Sequence, residues 1–190
     1  MKLNACFNWP TCSDPKVAQS VVLTQGGKPV RDDLAGKRPD CPVFVDKGPC
    51  DLGRWKLGEN GALFAPQGGL RISMNDLARV GRMLLGGGEL DGVRILSPQS
   101  DEALRRPAWR VHGRNGNTDK GFYCAYGLAV QLLPNRTAGC RDDPAGDGIF
   151  RIGHAGDAYG LRSGLGIDRL QGTGVAYFVS GLYDVPPRRR

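Results

Sequence analysis

From Tyr126 onward the apolar residues of this 190-residue chain cluster in short runs, rich in β-branched or aromatic side chains and bounded by Gly or Pro. Such runs fit pleated strands, and they are too short and too interrupted for helices. Residues 126–132 and 174–180 are the clearest of them. Residues 149–154 and 162–167 lie between, the latter joined to Gly174 through the turn Asp168-Arg169-Leu170-Gln171-Gly172-Thr173. Strands joined by short turns pair antiparallel, so the last third predicts a three- or four-stranded antiparallel meander.

The middle of the chain reads differently. Leu77, Val80, Gly81 and Leu84 fall at i, i+3, i+4 and i+7, which predicts a helix over residues 75–85 with one face toward a core. Ser73 with Asp76 three residues later resembles a capping box, with Asp in place of the usual Glu or Gln. Gly86-Gly87-Gly88 offers positive φ without steric cost and stops the helix; because it follows a helix it is no phosphate cradle. Ser97-Pro98 opens a second short helix through Leu104. Residues 1–60 are dominated by turn formers such as Gly26-Gly27-Lys28-Pro29 and Cys41-Pro42, with one short helix expected after Ser13-Asp14-Pro15. The whole predicts an α+β chain forming one domain. Residues 1–60 are loop-rich, 61–110 helical and 120–183 antiparallel strands.

Composition narrows the function classes. The 29 glycines and 13 prolines match the many turns. No window approaches 18 uninterrupted apolar residues, so no membrane span is expected, and the opening residues lack the apolar core of a signal peptide. The net charge of +7 is spread along the chain, and only Arg188-Arg189-Arg190 forms a basic run. Without aromatic-basic stacking or a recognised module, that excess does not point to nucleic acid. Six cysteines form three sequence-close pairs, Cys6 with Cys12, Cys41 with Cys50 and Cys124 with Cys140. An even count suits disulfides and local pairing is the simplest of 15 connectivities, while six reduced thiols remain the alternative. No pair has Cys-x-x-Cys spacing, and no cofactor or metal is expected.

Two segments carry a family likeness. Gly68-Gly69-Leu70-Arg71-Ile72-Ser73-Met74-Asn75-Asp76-Leu77-Ala78-Arg79 resembles a Gly-Gly-Leu, Asp-Leu-Ala-Arg segment, and Gly153-His154-Ala155-Gly156-Asp157 followed by Leu161-Arg162-Ser163-Gly164 resembles a third active-site motif with its strand pair. Together with Leu96-Ser97-Pro98 and Tyr126-Gly127-Leu128 they make the chain similar, over about residues 60–181, to the C-terminal portion of serine β-lactamase-like and penicillin-binding-protein-like hydrolases, the class C β-lactamase-related group. The resemblance implies a partial β-lactamase/transpeptidase-like fold, an antiparallel sheet with packed helices and long loops. It implies acyl-serine hydrolysis of an amide or ester.

In that superfamily the third motif is Lys-Thr-Gly or a variant such as His-x-Gly on a strand forming one wall of the site. His154 and Gly156 take those positions here, and the backbone N–H of Asp157 stands where the family places an oxyanion donor. The family's nucleophile sits in Ser-x-x-Lys and its second relay in Tyr-x-Asn or Ser-x-Asn. Ser13-Asp14-Pro15-Lys16 and Ser73-Met74-Asn75 match those patterns in order.

Two assignments follow. Either the nucleophile region belongs to a missing N-terminal half and the chain alone is inactive, or Ser13, Lys16, Ser73, Asn75 and His154 form a compact site. A non-catalytic disulfide-stapled binding module is a third reading. Family sheets are also backed by a long C-terminal helix, which residues 184–190 cannot form, so an uncovered face or edge and self-association are expected. The resemblance implies a small acyl substrate or peptidoglycan-like peptide as partner, and disulfides would place the parent protein in the periplasm or outside the cell.

Overall fold

The computed structural model describes residues 1–7, 12–30, 70–158 and 160–182. These residues fall into two units, one of Met1, Leu77–Gly156 and Ser163–Phe178, the other drawn from Lys2–Asp76, Asp157–Arg162 and the residues from Val179 on.

In the second unit β1 (Ala5–Phe7) pairs antiparallel with β4 (Leu70–Ile72), with Cys6 opposite Arg71. Between them in sequence lie the five-residue helix α1 (Asp14–Ala18) and the hairpin β2 (Leu23–Gln25) and β3 (Lys28–Val30). Gly26 and Gly27 both have positive φ, as a two-residue hairpin turn requires. The turn formers of this segment predict irregular structure, but adjacent glycines that break a run also make the turn that pairs its two halves.

The first unit is built on α2 (Met74–Leu85), which begins one residue before the predicted helix and stops on the glycine run. Gly88 N–H donates to the Met83 carbonyl at 2.9 Å and Gly87 N–H to Leu84 at 3.3 Å, with φ of +63° at Gly87. That is the Schellman closure that glycine permits. Asp91-Gly92 then turns β5 (Glu89–Leu90) into β6 (Val93–Arg94). α3 (Pro98–Arg105) is capped by Ser97, whose hydroxyl accepts the Ser100 N–H at 3.0 Å.

A six-stranded sheet follows, in the order β12-β11-β10-β9-β8-β7. Its strands are β7 (Trp109–Arg110), β8 (Ala125–Tyr126), β9 (Gln131–Leu133), β10 (Arg151–Ala158), β11 (Leu161–Asp168) and β12 (Thr173–Val179). The run over residues 126–132, read as one strand, is a hairpin instead. Gly127 lies so close to the Leu104 carbonyl that a Cβ would overlap it, and its N–H turns back to Val130 at 2.9 Å. The predicted meander survives as β10, β11 and β12, extended by three shorter strands.

Met83, Leu84, Leu90, Ala125, Val130, Leu132, Ile152 and Ile167 form the core of this unit. Gly81 lets α2 approach the sheet closely: a Cβ there would stand 3.0 Å from Leu165 Cδ1 and 3.1 Å from Ile167 Cδ1. At the other side, β12 is the outer strand, and Val175, Tyr177 and Phe178 on it are all exposed.

Candidate active-site strand

β10 lies between β9 and β11, and its ladder with β9 covers Arg151–Gly153, ending one residue before His154. His154 projects from it and is exposed. Its Nδ1 lies 2.6 Å from the carbonyl oxygen of Ala155. A carbonyl only accepts, so Nδ1 carries the proton, and in the neutral ring Nε2 is left as an acceptor. The Tyr126 hydroxyl lies 3.5 Å from Nε2, with the two ring centroids 5.8 Å apart.

Tyr126 belongs to an aromatic group in the same unit. Its ring is 6.5 Å from that of Trp109 and 5.9 Å from that of Tyr123, which in turn meets Phe122 edge-on at 4.9 Å. Burial, with a smaller contribution from Tyr123, pushes the Tyr126 phenol up to about 12. At neutral pH it is therefore a donor. The sequence places Tyr126 in a strand and in the family likeness but gives it no site role, because a partner 28 positions away leaves no local signal.

Gly156, two residues beyond His154, packs against β11: a Cβ there would overlap the Ser163 hydroxyl. This gives glycine at that position a local reason, the close passage of the neighbouring strand. In the second unit Asp157 forms an ion pair with Arg162, so its side chain is engaged while its backbone remains part of β10.

The other candidates lie in the second unit. Ser13 is the N-cap residue of α1 by position, yet its side chain makes no capping bond; its carbonyl accepts from the backbone N–H groups of Lys16 and Val17, each at 3.0 Å. The Lys16 ammonium donates to the Ala5 carbonyl at 3.2 Å. No hydrogen bond joins the Ser13 and Lys16 side chains among the described residues. The Ser73 hydroxyl accepts the Asp76 N–H at 3.2 Å, the capping bond its spacing suggested, and itself donates to Asp76 Oδ2 at 3.1 Å, so the carboxylate takes the hydroxyl in place of the Ser73 backbone N–H of a full capping box. Asp76 Oδ2 also accepts the Asn4 N–H at 3.1 Å, and Asn75 is exposed on the first turn of α2.

Cys6–Cys12 and Cys124–Cys140 are disulfides. Cys41 and Cys50 lie outside the described residues. In the loop after Cys140, Asp143 accepts the Gly146 and Gly148 N–H groups, and Arg151 holds Asp147 well below the usual carboxylate range. No helix among the described residues is long and apolar enough to cross a membrane.

Compared with known proteins, no curated protein matches the chain. The model of the beta-lactamase family matches residues 7–190, so with nearly its whole length covered the chain belongs to the beta-lactamase family.

Proposed function

We propose that this chain supplies the sheet-side wall of an acyl-serine hydrolase site, with His154, Gly156 and the Asp157 backbone N–H in the third-motif and oxyanion positions. Family membership implies a small-molecule or peptide substrate; an amide or ester of the penicillin or peptidoglycan-stem kind is the finer assignment. The observation that supports it most is the state of His154: an exposed imidazole on a strand flanked on both sides, with Nδ1 satisfied by Ala155 and Nε2 left as the acceptor. Such a group positions a substrate or passes a proton without being consumed in a buried contact. The two disulfides fit work in an oxidising compartment, the periplasm or the cell exterior.

The proposal includes that the chain alone does not turn over substrate. Ser73 is committed to capping α2, and the Lys16 ammonium reaches a backbone carbonyl and not Ser13. A nucleophile needs a base within hydrogen-bond reach. The test is intact-mass measurement after incubation with a fluorophosphonate or a labelled penicillin, followed by peptide mapping. We expect no adduct on the folded chain. An adduct on Ser13 that disappears in Ser13→Ala would establish the compact site in its place.

A further inference from the structure

The first unit contains a concave site of about 550 Å³ away from the residues assigned above, and its lining includes Arg105, Arg110 and Arg136 but no carboxylate. Arg110 and Arg136 share this lining with Arg105, whose own acidic partner, Asp101, is not part of it, and like charges around one cleft reinforce one another's field. The floor is apolar, formed by Ala125, Leu132 and Pro134. At the mouth Phe150 leaves 59% of its surface uncovered.

The three arginines are not equivalent. Arg105 is held from behind: its Nε and Nη2 donate to Asp101 Oδ2 at 3.1 and 3.0 Å, which fixes the plane of the guanidinium and leaves Nη1 without a hydrogen bond among the described residues. Asp101 is buried and shares that same oxygen with Arg169 at 2.8 Å, so one carboxylate serves two cations and the cluster keeps a net positive charge. Arg110 and Arg136 are exposed and have no acidic partner among the described residues. By contrast Arg82, Arg94, Arg106, Arg151 and Arg162 each pair with an Asp or Glu.

We propose that this cleft binds an amphipathic carboxylate, a monoanionic head on a short apolar body. The head is taken by Arg110 and Arg136 with the pre-oriented Arg105, because a planar guanidinium matches a carboxylate with two parallel hydrogen bonds. The apolar body lies on Leu132, Pro134 and the Phe150 ring. A cavity of this size suits a small ligand and not a macromolecule. The inference does not depend on the hydrolase reading.

The test is a nuclear magnetic resonance titration of the whole chain with sodium octanoate, with inorganic phosphate as the head-only comparison. Saturable shifts confined to residues near 105–110 and 132–150, at concentrations up to about 5 mM, are expected, with phosphate binding more weakly. Removing two charged hydrogen-bonding groups in Arg110→Gln/Arg136→Gln should weaken octanoate about tenfold or more. Arg114→Gln/Arg141→Gln removes two other arginines without acidic partners among the described residues, outside the cleft, and should leave binding unchanged. The proposal is overturned by an unsaturable wild-type titration, by equal losses in the two double variants, or by phosphate binding as tightly as octanoate.

Discussion

The Tyr126 hydroxyl stands 3.5 Å from Nε2 of His154, on the side of the ring opposite the proton that Nδ1 gives to Ala155. The arrangement fixes which nitrogen is protonated. At pH 8, side-chain nitrogen spectra should show Nδ1 protonated and Nε2 bare; Tyr126→Phe should move the Nε2 resonance and leave the tautomer unchanged. A proton found on Nε2 at that pH would contradict the assignment.

The same phenol makes the fold sensitive to strong base. Its value is raised from the ordinary 10 to about 12, so the folded state keeps a proton that the unfolded chain releases. Stability is therefore intact below pH 10 and is lost as pH rises through about 12. In an ultraviolet titration Tyr126 should ionise late, and Tyr126→Phe should remove that last step.

Asp101 sets the acid limit in the opposite sense. Burial alone would raise its carboxyl, but hydrogen bonds and charge from Arg169 and Arg105 outweigh it and hold it below the usual range. Its contribution is present above the unfolded carboxylate value and is lost as pH falls through the lower folded value. Asp101→Asn should cost roughly 2 kcal/mol, less than for a fully buried pair because both arginines remain partly exposed. Urea midpoints at pH 6 should show this difference, and it should shrink as pH falls below the carboxylate range.

Gly81 separates helix propensity from packing. Alanine there gains about 1 kcal/mol of helix propensity, but its Cβ meets the mobile ends of Leu165 and Ile167, so Gly81→Ala should be near neutral. Gly81→Val adds two further carbons to the same contact and should destabilise by about 1 to 3 kcal/mol. Thermal melts of the two variants distinguish this from a helix that merely rests near the sheet.

Removing the Cys124–Cys140 bridge should matter more than removing Cys6–Cys12. The loops span 16 and 6 residues, and constraint of the unfolded chain grows with loop length, giving about 3 and about 2 kcal/mol respectively. Double Cys→Ser variants compared by denaturant midpoint give the order directly.

How much of this was legible in the sequence depends on the range of the interaction. α2 and α3 could be read because their signals are local: for α2 an apolar stripe, Ser73 directly ahead and a glycine stop, for α3 the Ser97-Pro98 start. The β10–β12 meander was readable for the same reason. The pairing of Ala5–Phe7 with Leu70–Ile72 was not, since nothing in either triplet identifies a partner more than 60 residues away. Asp91-Gly92 was a readable hairpin signal that the adjacent helix stop obscured. The proposal for His154 draws on its Gly spacing, whereas the Tyr126–His154 approach and the Asp101–Arg169 contact exist only once the chain is folded.

β12 ends the sheet with a row of peptide groups that no described strand takes up, on a segment, Thr173–Val179, that contains neither proline nor any charged side chain. Such an edge changes the reaction order of refolding. Folding of one chain is first order in protein, while edge-to-edge capture is second order, so recovery of the native monomer should fall as the chain is concentrated even when its thermodynamic stability is unchanged. A single lysine at Val175 would then raise the yield of soluble protein without altering the melting temperature, separating a colloidal property of the molecule from a folding one.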